Sequence, residues 1–304
     1  AKALLRSLVG SEMCIRDRSN PTYLIETSKK KYVLRKKPEG ILLKSAHAVD
    51  REYRVQRALK SSPIPVPRMY AYCDDISVLG TEFYIMEHLE GVCYEDPRLD
   101  VIAQHCRYSI FEEMSNILAE IHKVDLLKVG LSDYGPGGDY FTRQITRWTK
   151  QYRSSETGQI KSMDQLILWL EENTPADDGK RCLVHGDFRL DNLLFDPQKN
   201  NCVAVLDWEV STIGHPFADL ASVLMQWSMP TGSEGRGLQD VNRIAPFYNV
   251  DFEALSYPSK DLVSLANSIL CNLEAEQFTS IAKEVSSALW QGQEAVSYTH
   301  LTLP

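Results

Sequence analysis

The chain has 304 residues, of which 43% are hydrophobic and 24% are charged, and its formal net charge is −8 at pH 7. This composition is typical of a globular protein and excludes a disordered or collagen-like chain. The acidic balance argues against a nucleic-acid partner, which usually requires a basic surplus, and no apolar run is long enough to predict a membrane span.

The seven cysteines are scattered along the chain, and none of them forms a Cys-x-x-Cys pair. An odd number of unpaired, widely spaced cysteines is typical of a reducing compartment rather than of a secreted disulfide framework. We therefore expect the protein to be cytoplasmic.

The two ends of the chain differ from the rest of the sequence. Residues 7–18 and residues 295–304 resemble translated sequencing adapter. We therefore expect residues 1–18 and 295–304 to be non-native, and such segments are left out of reasoning about the fold.

The first part of the remaining chain is rich in predicted strands. The β-rich runs 23–27 and 32–35 are separated by a short polar segment and predict a hairpin. Apolar spacing predicts a helix over 46–59, whereas alternating prolines predict an extended segment over 62–67. Residues 82–86 predict a further strand.

The second part is mostly helical in its pattern. Apolar side chains at helical spacing predict an amphipathic helix over 110–121, and His122 at its end fits a surface or core-edge position. Residues 162–165 have the spacing of a capping box before an apolar run. Short strands at 182–184 and 202–206 interrupt the helices.

One cluster of polar residues follows these two short strands. His-Gly-Asp-Phe-Arg-Leu-Asp-Asn occupies residues 185–192, and Asp207 follows residues 202–206. Phosphoryl transfer needs a carboxylate beside the attacking hydroxyl and oxygen ligands that hold Mg²⁺ against the phosphates. Asp187 can supply the first, and Asn192 with Asp207 can supply the second, because Mg²⁺ takes few protein oxygens and completes its shell with phosphate and water.

These motifs resemble the aminoglycoside phosphotransferase-like, or choline kinase-like, kinases. The closer resemblance is to the kinase domain that occurs alone in bacteria and fused to acyl-CoA dehydrogenases in some animal proteins. It rests on the motifs at residues 19–23, 32–38, 185–192 and 206–220. The resemblance implies an α+β, bilobal, protein-kinase-like fold, with a small strand-rich N-lobe over 19–90 that binds nucleotide and a large, mostly helical, catalytic C-lobe over 91–294.

The resemblance also implies ATP and Mg²⁺ as cofactors and assigns roles in the C-lobe. Asp187 would be the catalytic base, His185 would brace the loop, and Arg189 belongs to the same catalytic motif. Asn192 and Asp207 would hold Mg²⁺. Asp219 would anchor the catalytic loop, although a helix cap explains it almost as well.

In the N-lobe the resemblance assigns nucleotide binding to two further groups. Arg35 would contact phosphate, with Lys36 as the second candidate and Glu52 as the helix partner of Arg35. A surface strand and a solvated helix face remain the alternatives for Arg35 and Glu52. The other assigned positions lie in two segments. Ser19 and Asn20 belong to the phosphate-covering loop, and Glu87, His88 and Leu89 belong to the hinge that meets adenine.

Three function classes compete for this sequence: a small-molecule kinase, a protein kinase and an inactive nucleotide-binding module. A protein kinase would place a long activation segment before Asp219, but only residues 208–218 separate it from Asp207. A P-loop NTPase is excluded because the sequence contains no GxxxxGK[ST] motif. We therefore expect a small-molecule kinase, with a nucleotide-binding module made inactive by truncation as the alternative.

The acceptor follows only from the resemblance. Fusion to acyl-CoA dehydrogenases implies a hydroxy acid or a hydroxyacyl-CoA as the acceptor and a dehydrogenase as the partner. An aminoglycoside or another alcohol is the alternative acceptor.

Overall fold

The computed structural model describes residues 8–9, 20–38, 47–99 and 101–228. Ser19 and the 295–304 segment lie outside these residues. The described chain forms two compact units: one contains the residues up to Gly135 together with those from Cys182 onward, and the other is Pro136–Arg181. Within the described ranges, no helix has the length and apolar character needed to cross a membrane.

A five-stranded antiparallel sheet forms the beginning of the first unit. Its strands have the order β1-β2-β3-β5-β4. The predicted hairpin is confirmed, with Leu24 opposite Val33. The strand β4 was not predicted, and its pairing with β5 is irregular between Met69 and Ala71. The five strands are Leu8–Val9 (β1), Thr22–Glu26 (β2), Lys31–Lys36 (β3), Met69–Cys73 (β4) and Phe83–Glu87 (β5).

One face of this sheet packs against the helix Val49–Leu59 (α1). Val49 joins Tyr84 and Met86 in one buried cluster, and Ile25 and Phe83 belong to the cluster that contains Leu34. Alternate residues of β5 therefore face opposite sides, as the pleat of a strand requires. Burying one face of α1 also places Glu52 inside the molecule, where it is 1% exposed.

The rest of the first unit combines helices with two short antiparallel ribbons. The strand β6 pairs with β9, and β7 pairs with β8. The strands β7 and β9 have three residues each and were not predicted, whereas the equally short β6 was. The short helix Ile76–Leu79 (α2) follows β4. The other elements of this unit are Gln104–His122 (α3), Cys182–Val184 (β6), Leu193–Phe195 (β7), Cys202–Val205 (β8), Thr212–Gly214 (β9) and Phe217–Ser228 (α6).

The second unit contains the helices Tyr140–Ser155 (α4) and Lys161–Glu172 (α5). The carboxylate of Asp139 caps α4 by accepting the backbone N–H of Thr142. The predicted capping box is wrong: α5 begins one residue before Ser162, and the cap position has no side-chain hydrogen bond. The buried Ser162 hydroxyl has no hydrogen-bond partner among the described residues.

Candidate active site

The loop between β6 and β7 carries the catalytic motif. Gly186 has φ +86°, and a Cβ there would lie 2.9 Å from the backbone oxygen of Val210, so this turn requires glycine. The 3₁₀ turn Leu190–Asn192 then brings Asn192 back toward Asp187. The amide nitrogen of Asn192 donates to the backbone oxygen of Asp187 at 2.7 Å and to its Oδ2 at 3.0 Å.

Arg189 lies beside the carboxylate of Asp187. Its Nε is 3.0 Å from Asp187 Oδ1, as an ion pair without hydrogen-bond geometry, and its Nη2 is 3.3 Å from Asp191 Oδ2. Burial raises the pKa of Asp187, while the charges of Arg189 and His185 oppose that rise. A carboxylate with a raised proton affinity is suited to accept a proton from a hydroxyl.

Arg35 connects the sheet to the turn after β8. Its Nε donates to Glu52 Oε2 at 3.0 Å, and its Nη2 donates to Asp207 Oδ1 at 2.6 Å. Burial raises the pKa of Glu52 to about 7, and the charge of Arg35 offsets part of that effect. One buried guanidinium therefore joins two carboxylates that lie 155 positions apart in the sequence, at residues 52 and 207.

Asp207 itself adopts an uncommon backbone conformation, with φ +62°. Left-handed backbone is unfavourable for a residue other than glycine and persists where surrounding contacts hold it. The turn at Asp207 is therefore fixed by its environment rather than by local preference.

Glu209 adds a further acidic group, which the sequence did not single out. Its Oε2 accepts a hydrogen bond from Asn20 Nδ2 at 3.2 Å. Burial, followed by the charge of Asp207, raises the pKa of Glu209 to about 8. The carboxylates of Asp187, Asp207 and Glu209 thus influence one another in a partly buried region.

This donor set fits a magnesium ion. Besides burial, the negative charges of Asp207, Glu52 and Asp187 raise the pKa of Glu209, and a divalent cation would offset this repulsion. Asp207 would supply a carboxylate and Asn192 an amide oxygen, since the amide nitrogen of Asn192 donates to Asp187. Mg²⁺ takes few protein oxygens and completes its shell with phosphate and water. Among the described residues no group of three or more His, Cys, Asp or Glu side chains could hold a metal.

Asp219 on α6 holds the start of the catalytic loop. Its carboxylate accepts the backbone N–H groups of His185 at 2.8 Å and Gly186 at 2.7 Å. It also lies 3.1 Å from His122 Nε2. Burial opposes ionisation of Asp219, but these hydrogen bonds and the nearby histidines outweigh burial and lower its pKa. The two alternatives for Asp219 were an anchor of the catalytic loop and a helix cap, and its contacts with the N–H groups of His185 and Gly186 are those of an anchor.

Two histidines complete this arrangement. The side chain of His185 contacts the backbone oxygen of Leu206 at 2.9 Å, and its ring lies 4.6 Å from that of Trp208. The side chain of His122 is only 4% exposed. The periodic pattern of α3 predicted a surface or core-edge position for His122. It gave no indication of the contact with the carboxylate of Asp219.

The remaining predicted site residues lie on the sheet. Lys36 follows Arg35 on β3, and its backbone N–H donates to the oxygen of Pro21. Glu87 ends β5 and its side chain accepts the backbone N–H of Arg68 at 3.3 Å. His88 and Leu89 follow directly. A contact of these three residues with adenine stays a prediction.

Three kinds of comparison relate this chain to known proteins. A family model described as "Phosphotransferase enzyme family" matches residues 15–241. Acyl-CoA dehydrogenase family member 10 of Mus musculus is 47% identical over 213 residues, which are 70% of this chain and 20% of that protein. Acyl-CoA dehydrogenase family member 11 of Rattus norvegicus is 45% identical over 225 residues, which are 74% and 28%. The chain therefore spans about a quarter of these relatives.

Solved structures show the same fold. A Ralstonia eutropha protein, provisionally described as an aminoglycoside phosphotransferase, is 40% identical with a TM-score of 0.68, covering 88% of this chain and 78% of its own. The streptomycin–ATP ternary complex of APH(2″)-IIa has a TM-score of 0.58 at 15% identity, covering 93% and 88%. The expected α+β, protein-kinase-like fold is confirmed.

Proposed function

Because the chain belongs to the phosphotransferase enzyme family, we propose that it transfers the γ-phosphoryl group of ATP to a hydroxyl group of a small molecule. One observation carries this proposal. The side chains of Glu52, Arg35 and Asp207 form a continuous set of ion pairs. Asp187 and Asn192 lie on the loop that ends just before β7, which pairs with β8, the strand that precedes Asp207.

Each of these residues has a distinct part in the proposed reaction. Asp187 orients the acceptor hydroxyl and takes its proton as the acceptor oxygen bonds to the γ-phosphorus and the bond to the β–γ bridging oxygen breaks. Asn192 and Asp207 would hold Mg²⁺, which when bound neutralises charge on the phosphates. Arg35 adds a fixed positive charge, which Glu52 orients.

For the acceptor we propose a hydroxy acid or a hydroxyacyl-CoA. The named relatives are acyl-CoA dehydrogenase family members, which supports an acyl acceptor and a dehydrogenase partner.

The test is acceptor-dependent formation of ADP by the full chain with Mg·ATP. The acceptors are a 3-hydroxyacyl-CoA, the free 3-hydroxy acid and an aminoglycoside. The matched control is the same acyl-CoA without its 3-hydroxyl, which has the same charge and the same CoA moiety but no hydroxyl on the acyl chain. We expect ADP and a phosphorylated product with a hydroxylated acyl compound and none with the control.

Two other results would count against parts of this proposal. Phosphorylation of the aminoglycoside alone would contradict the acyl acceptor and leave the kinase reaction standing. Equal ADP formation with the hydroxylated and the deoxy acyl-CoA would contradict transfer to the hydroxyl of the acyl chain, since the second compound lacks that hydroxyl.

A further inference from the structure

Three residues outside the proposed reaction join α1 to the turn that follows Asp207. Arg51 precedes Glu52 on α1, Tyr134 lies in the loop between α3 and α4, and Ser211 lies just before β9. Tyr134 is 1% exposed and Ser211 is 2% exposed, so their contact is buried. We refer to Arg51, Tyr134 and Ser211 as the clamp.

The guanidinium of Arg51 contacts both other members. Its Nη2 donates to the backbone oxygen of Tyr134 at 2.8 Å and to that of Ser211 at 3.1 Å. Its central carbon lies 4.2 Å from the centroid of the Tyr134 ring, within cation–π distance. The planar guanidinium suits this combination of ring stacking and two carbonyl contacts, which a lysine ammonium could not reproduce.

The hydroxyls close the clamp from the other side. Tyr134 Oη lies 3.2 Å from the backbone oxygen of Arg51 and 2.7 Å from Ser211 Oγ. Ser211 Oγ donates to the backbone oxygen of Trp208 at 2.5 Å. The turn that begins at Asp207 is therefore fixed to α1 through buried hydrogen bonds.

Together with the ion pairs of Arg35, these contacts link α1 to the turn at Asp207 by two routes. On one side, Asp207 pairs with Arg35, and Arg35 pairs with Glu52. On the other side, the clamp leads from Arg51, the residue before Glu52, back to Trp208, the residue after Asp207. Asp207 needs such support, because its φ of +62° is held against local preference.

We propose that the clamp positions Asp207 and Arg35 for Mg·ATP. The proposal rests on the proposed function. The three residues of the clamp are positioning residues, because they act through Glu52 and through the turn at Asp207. A merely structural clamp would stabilise the fold without changing how strongly Mg²⁺ improves the binding of ATP.

The experiment measures the dissociation constant of ATP for the full chain by calorimetry, with Mg²⁺ and with a chelator. The clamp variants are Arg51→Lys and Tyr134→Phe. The matched controls are Arg57→Lys, an exposed position on the same helix, and Tyr70→Phe, which is 38% exposed. We expect the Mg²⁺-dependent gain in affinity to fall about three- to tenfold in both clamp variants. A change of this size corresponds to the loss of one or two hydrogen bonds.

The outcomes separate this inference from the proposed function. An unchanged Mg²⁺-dependent gain in the clamp variants, with a lower melting temperature alone, would overturn the inference and leave the kinase proposal intact. A wild-type chain that gains nothing from Mg²⁺ would overturn both. If Arg51→Lys fails to fold, Tyr134→Phe decides, because it keeps the ring beneath the guanidinium.

Discussion

Replacing Asp187 with asparagine is expected to lower the turnover number about 1,000-fold, which is the contribution of a positioned general base. The amide keeps the size of the side chain but cannot accept the proton of the acceptor hydroxyl. The backbone oxygen of residue 187 still accepts from Asn192, so the loop should keep its shape. The measurement is the steady-state rate of product formation, with the dissociation constant of Mg·ATP determined in parallel.

The matched control for this variant is Asp191→Asn. Asp191 lies on the same loop and also pairs with Arg189, but it has no part in the proposed reaction. We expect it to keep a turnover number within a few-fold of the wild type. If Asp187→Asn were as active as Asp191→Asn, Asp187 would not be the base.

Replacing Asp219 with asparagine is expected to lower the free energy of unfolding by about 3–5 kcal/mol, as the loss of one partner from a buried polar network does. The amide NH₂ cannot satisfy donors from both His185 and Gly186, whose N–H groups now share the carboxylate. A buried donor without an acceptor keeps its full desolvation cost. Urea unfolding at neutral pH measures this difference.

The difference between wild type and Asp219→Asn should also depend on pH. The folded-state pKa of Asp219 lies below its ordinary value of 3.8. The ionised carboxylate therefore stabilises the fold fully above pH 3.8, and this contribution is lost as the pH falls through the lower, folded-state pKa. The control Asp133→Asn breaks an exposed ion pair with Arg54 and should leave the unfolding midpoint unchanged. A similar midpoint in both variants would contradict the anchoring role.

The sequence predicted many of the local elements. The hairpin of β2 and β3, the helix α1 and the strands β6 and β8 appear within a few residues of their expected bounds, whereas α3 begins at Gln104, before the expected 110–121. The strands β7 and β9 were not predicted, although β6 is equally short, and each is defined by its pairing with β8 or β6. The capping-box spacing at Ser162 failed because the same residues also fit a helix interior.

The candidate site could be predicted where its residues share one motif. The spacing of Asp187 and Asn192 is short, and a single turn explains it. The contacts of His122, Arg51 and Tyr134 were not predicted, because their partners, Asp219 and Ser211, lie 77 or more positions away. Such contacts depend on packing of the folded chain, and no local pattern of charge or hydrophobicity encodes them.

The most direct test of the central claim is thermal unfolding of the full chain with ATP, in the presence of Mg²⁺ or of a chelator, for the wild type and Asp207→Ala. A ligand at about 100 times its dissociation constant adds roughly 2.7 kcal/mol to the folded state, enough to raise the midpoint measurably. We predict a Mg²⁺-dependent rise for the wild type that is absent in Asp207→Ala. No rise in the wild type, or an equal rise in both proteins, would contradict a Mg·ATP site at Asp207.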